Sequence, residues 1–223
     1  MPAPIPPSPS LRRPEPRWQA LIALLAVGGL FIALPEELTL GPRWLLLTVV
    51  GALSVPLVIS HRAGAQRLNV ALGITVTAVV TVAMIVSLAL LIAALPSHKE
   101  SPTALLLSAA SLWLTNILIF ALWYWRFDAG GPHRRDARPD HTTGSFLFPQ
   151  MTLLPNIKEA AGHQRGWAPH FLDYLFLAFN TSTAFSPTDT PVLTRWAKIM
   201  MMLQSLISLT VLAILAARAV NIL

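Results

Sequence analysis

Cysteine is absent from this chain, which excludes a disulfide framework, thiolate chemistry and any cysteine-ligated metal. Charge is scarce as well: 12% of residues are Asp, Glu, Lys or Arg, against roughly 25% in soluble globular domains. The six histidines, His61, His98, His133, His141, His163 and His170, have no metal-ligand spacing and form no paired-histidine helical motif with a glutamate. Neither a metal, a cofactor nor a catalytic residue is therefore expected, and the chain does not read as an enzyme.

What the 223 residues do contain is apolar sequence, 54% of the total. It is gathered into runs at 18–35, 43–60, 68–95, 103–125 and 193–223, each near the ~20 residues that cross a ~30 Å hydrocarbon core. The expected fold is an all-α polytopic membrane bundle: five long transmembrane helices plus one short re-entrant or thin spanning helix, with the lipid bilayer as its partner. Proline-rich residues 1–17 form a retained, disordered or extended tail. Residues 18–125 hold four helices, 126–168 a basic loop, and 169–223 a short helix, a polar turn and the last long helix.

The formal net charge of +6 does not point to nucleic acid, because the basic residues lie in short loops and not on one continuous face. Their distribution is a topological signal instead. One set of loops holds Arg12, Arg13, Arg17, Arg62, Arg67, Arg126, Arg134, Arg135, Arg138, Lys158 and Arg165. The other holds Arg43 and Lys99, with Arg195 and Lys198 depending on the last hairpin. Cytoplasmic loops are enriched in Lys and Arg, so the N-terminus is expected in the cytoplasm and the protein in a cell (inner) membrane. Six of seven tryptophans sit near run ends, where amphipathic rings meet headgroups. Gly28-Gly29 and Pro56 predict mild kinks.

Two polar features interrupt the apolar pattern. Ser108, Ser111, Thr115 and Asn116 share one face of the fourth helix, as expected for interhelical hydrogen bonding. Near the C-terminus, Phe171 to Phe179 runs into Asn180, Thr181, Ser182 and Thr183, then Ser186, Pro187, Thr188 and Asp189. A half-helix ending in such groups needs protein or a water-filled cavity around it, so these residues are pore or cavity candidates. Asp173 is expected to cap the short helix at its start. Gln204, Ser205 and Ser208 on the last helix, with Asn116, are the candidates to face the two aspartates.

The run Phe171-x-Asp173-Tyr174-Leu175-x-Leu177-Ala178-Phe179-x-Thr181-x-Thr183, with Asp189 and Met202-Leu203-Gln204-Ser205-Leu206-Ile207 after it, resembles the pore helix, filter and inner helix of the two-helix potassium-channel pore family. The resemblance covers the last quarter of the chain. It implies a channel-like permeation module, monovalent cations as permeants and a homo-oligomer around a shared axis. Filter positions fall on Ala184 to Asp189, where only the aspartate matches, and Ser186 and Thr188 replace the filter glycines. Positive φ comes freely only to glycine, so potassium selectivity is not carried over. The chain also resembles multi-pass bacterial membrane proteins with a similar ending. The alternative function is a non-transporting membrane scaffold or envelope-maintenance protein with the turn as a buried packing element.

Overall fold

The computed structural model describes residues 14–94, 102–138, 141, 143–153, 167–183 and 189–220. Its helices are α1 (Trp18–Ile32), α2 (Leu45–Arg62), α3 (Gln66–Ala94), α4 (Pro102–Phe127), α5 (Pro132–Asp136), α6 (Pro149–Thr152), α7 (Phe171–Thr183) and α8 (Arg195–Val220). Among the described residues the only extended pairing is an isolated antiparallel bridge, Phe146 to Val192.

Among the described residues four helices, one fewer than expected, are long and apolar enough to cross a membrane: α2, α3, α4 with the turn after it, and α8. The first run, expected to span over 18–35, is helical for 15 residues, or roughly 22 Å. It stops short of Pro35, whose ring biases the preceding residue away from helical geometry, and a 3-10 turn, Glu36–Leu38, follows. At 29 residues, α3 is roughly 43 Å long, so it outreaches a hydrocarbon core unless tilted. These lengths and compositions fit an integral membrane protein.

Helix α4 is the hub, packed against α1, α3, α7 and α8, whereas α2 lies outside against α1 and α3. Burial follows: 67% of the apolar window of α4 is enclosed and only 17% of that of α2. The uncovered faces are apolar, with Val55, Ile59, Val82, Ile85, Leu206 and Leu209 exposed. A surface greasy outward is stable where lipid replaces water.

Glycines fix two close approaches. A Cβ on Gly28 would lie 2.8 Å from Leu47 Cδ1 and 3.0 Å from Leu47 Cα, so this glycine lets α2 approach α1. Between α2 and α3 the chain turns through Gly64 at φ +70. Ala65 N–H donates to Ser60 O (3.0 Å) and Gly64 N–H to His61 O (3.2 Å), the paired closure that ends a helix in a left-handed residue.

One end of the bundle gathers the start of α1, the turn from α2 to α3 and the end of α4; it carries Arg17, Arg62, Arg67, Arg134, Arg135 and Arg138 and is called the basic end below. Phe146 and Phe148, in the loop beyond α5, are buried there. Helices α7 and α8 both begin at this end. Phe171 meets Trp125, and Trp196 meets Phe127 and Phe146. Backbone pairing holds the return: Leu147 N–H donates to Pro191 O (2.9 Å) and Leu193 N–H to Ser145 O (2.8 Å). The two helices thus run parallel, and the short one enters and comes back at the same end.

Candidate functional site

A helix that ends inside a bundle leaves its last carbonyls without intrahelical donors. In α7 these are met by side chains of α8. Ser208 Oγ donates to Ser182 O (2.8 Å) and Ser205 Oγ to Thr181 O (3.4 Å). One turn earlier, Gln204 Nε2 donates both to Ala178 O (2.7 Å) and to Ser182 Oγ (2.8 Å).

Helix α4 closes the group from the other side. Tyr124 O–H donates to Gln204 Oε1 (2.6 Å), Asn116 Nδ2 to Gln204 O (3.2 Å) and Trp113 Nε1 to Ser208 Oγ (3.0 Å). Asn116, Gln204, Ser182, Ser208 and Tyr124 are all buried. Both polar atoms of the Gln204 amide are therefore bonded inside protein. Asn116 Oδ1 and Thr115 Oγ1 are buried beside this group with no hydrogen-bond partner.

Of the candidates, Thr181 is buried and its hydroxyl donates back to Leu177 O (2.8 Å); Thr183 is half-buried and its hydroxyl donates to Phe179 O (2.9 Å). Asn180 is half-buried and Asp189 exposed. Ser186 and Thr188 lie outside the described residues. Asp173 accepts from His170 N–H at 2.7 Å, closing the first turn of α7 as half of a capping box. The polar face of α8 thus meets Ser182 and the end of α7, while Asp173 is engaged at the opposite end of that helix. Tyr124 and Trp113 are the members that sequence reasoning missed. A mid-helix tryptophan was the available signal, since its indole N–H needs a partner when buried.

A second polar cluster sits at the basic end. Glu15, expected in an extended tail, is buried at 3% exposure. Its carboxylate pairs with Arg135 at 3.0 Å and accepts from Trp125 Nε1. Arg135 in turn donates to Trp125 O (2.8 Å) and Asp128 O (3.0 Å), so it caps the end of α4, and it lies over the Tyr174 ring. Asp128 accepts from Tyr174 O–H (2.7 Å) and Ser145 N–H. Arg17 pairs with Asp136. The two tyrosines of the chain thus each anchor one polar cluster to α4 or its C-terminal turn.

His133 Nε2 lies 2.9 Å from Asn69 Oδ1. Burial lowers its pKa from the ordinary 6.5, and the Arg17 charge lowers it further. His141 is buried, 3.7 Å from Asp128 Oδ2. Among the described residues no group of three or more His, Asp or Glu could hold a metal ion. No family model, curated protein or solved structure matches the chain.

Proposed function

We propose that the chain is a non-transporting integral membrane protein, a scaffold or envelope-maintenance component, in which α7 is a re-entrant packing wedge. The observation that carries this reading is Gln204. Its amide, buried between α4, α7 and α8, is bonded by Ala178, Ser182 and Tyr124, so the hydroxyls and carbonyls nearest it face protein and not a permeant ion. A pore made from several copies would have to use Asn180, Thr183 and the residues after them.

The topology of this reading has five crossings, the four long helices α2, α3, α4 and α8 and the shorter α1 completed by the turn after it, with the basic end in the cytoplasm of a bacterial inner membrane or its equivalent. The parallel course of α7 and α8 supports it, because Arg195 and Lys198 then join the side already rich in arginine.

Flux from liposomes of purified protein tests the reading. Potassium and sodium release should match that of empty liposomes, and Asn180→Ala, Thr183→Ala and Asp189→Ala should leave it unchanged. A cation leak removed by any of these substitutions would establish the pore.

A further inference from the structure

The residue least explained by the two polar clusters is Arg126. It sits in the last turn of α4, half-buried. Its Nε donates to Thr77 Oγ1 (2.9 Å), and its guanidinium carbon lies 5.4 Å from the Trp125 ring centre. Among the described residues no carboxylate lies within ion-pair distance of it. The neighbouring arginines differ: Arg17 has Asp136 and Arg135 has Glu15. A cation in low dielectric without a counter-charge is costly, so this one awaits an anion.

The space for that anion is present. Arg126 lines a cavity of about 370 Å³ between α1, α2, α3 and the end of α4. Room for the guanidinium itself comes from Gly73, where a Cβ would lie 1.9 Å from Arg126 Nη1. Arg17 and Arg62 also line the cavity, and no carboxylate does. His61, Asn69 and His133 share the polar part of the wall; the rest is apolar, with Leu21, Leu57 and Ile74 running toward the middle of the bundle and Trp18 at the mouth. Cationic at the basic end and greasy below it, the cavity has the polarity of one amphiphile.

We propose that this cavity binds an anionic phospholipid, its phosphate on Arg126, Arg17 and Arg62 and an acyl chain along Leu21, Leu57 and Ile74. Guanidinium groups suit phosphate because their planar donors bond it in pairs. The cavity lies where headgroups would lie if the helices span, so a lipid can enter sideways without leaving the bilayer. The site requires that α1 to α4 stand in lipid and is independent of whether α7 conducts.

Native mass spectrometry of the full chain released from nanodiscs tests this with an equimolar mixture of phosphatidylglycerol and phosphatidylcholine. Phosphatidylglycerol should be retained about tenfold over phosphatidylcholine, as expected of charge-assisted bonds to one half-buried arginine. Arg126→Gln should reduce retention to parity, and Arg43→Gln, at the opposite end, should not. Ile74→Trp supplies a variant with the charge intact, since it fills the apolar arm from a partly exposed position; it too should lose the preference while melting as wild type does. Inorganic phosphate at millimolar concentration should not displace the lipid. Equal retention of both lipids, a preference that survives Arg126→Gln and Ile74→Trp, or displacement by phosphate alone would overturn the proposal.

Discussion

Gln204 concentrates the chemistry of the helical interior in one side chain. Replacing it by leucine keeps the bulk and strips the donor and acceptor, leaving Tyr124 O–H, Ser182 Oγ and Ala178 O to find other partners. Interhelical bonds in lipid are worth roughly 0.6–2 kcal/mol each, so Gln204→Leu should cost about 1–3 kcal/mol in reversible unfolding from bicelles. Tyr124→Phe should cost less, and the double variant less than the sum, because both remove the same bond. His133 gives a pH signature. Its folded pKa is held below the ordinary 6.5, so the unfolded chain takes up the proton first as pH falls. The stability it contributes is complete above about pH 6.5 and lost as pH drops through the lower folded value. Melting temperature should therefore fall between pH 7 and pH 5, and by less in His133→Gln, whose amide can still donate to Asn69. A polar residue in an apolar run was legible as a group seeking a partner, which is why Asn116, Gln204 and Ser208 stood out. Glu15 was not legible, since the prolines around it have the composition of a solvated tail and its partner Arg135 lies 120 positions away.

At the scale of elements, length alone could not decide between a thin span and a re-entrant turn for α7. Thirteen helical residues cover only about 20 Å, short of a crossing. The contact that favours the turn is backbone pairing around Phe146 and Val192, which brings the chain back to the end where α7 begins and carries no side-chain signal. A single cysteine at Asp189, in a chain with none of its own, should react with a membrane-impermeant maleimide from the same side as one at Arg134. Labelling from opposite sides would mean that α7 crosses. The α1–α2 contact gives a sharper expectation. Gly28→Leu drives a side chain into the Leu47 backbone, where even a Cβ sits at 3.0 Å, and should lower stability by about 1–3 kcal/mol. Gly29→Leu, with nothing within 4 Å of its Cβ position, should be near neutral. The two glycines are adjacent in sequence, and only the course of α2 distinguishes them.

Across the whole molecule, the membrane-protein class and most of the helices were legible because both follow from run length and apolar content. The central place of α4 was not, since its composition resembles that of α3 and only burial separates them. The molecule is also tied across its length at the basic end, where Glu15, ahead of the first helix, is buried against Arg135, beyond the fourth. Glu15→Gln would leave the Arg135 guanidinium without its counter-charge, and removing one partner of a buried pair costs about 3–5 kcal/mol. A loss of that size should appear in the melting temperature and, if the pair closes the basic end, as faster proteolysis near residue 138. Charge reversal of both partners together should recover part of it.

The parallel course of α7 and α8 also has a bearing on biosynthesis. The donors that cap α7 are encoded more than twenty residues after it, so a nascent chain halted before Gln204 carries a stub whose carbonyls have nothing to bond. That stub must wait at the membrane surface or in the insertion machinery until the next helix arrives, which makes α7 the last piece to settle although it is not the last to be translated.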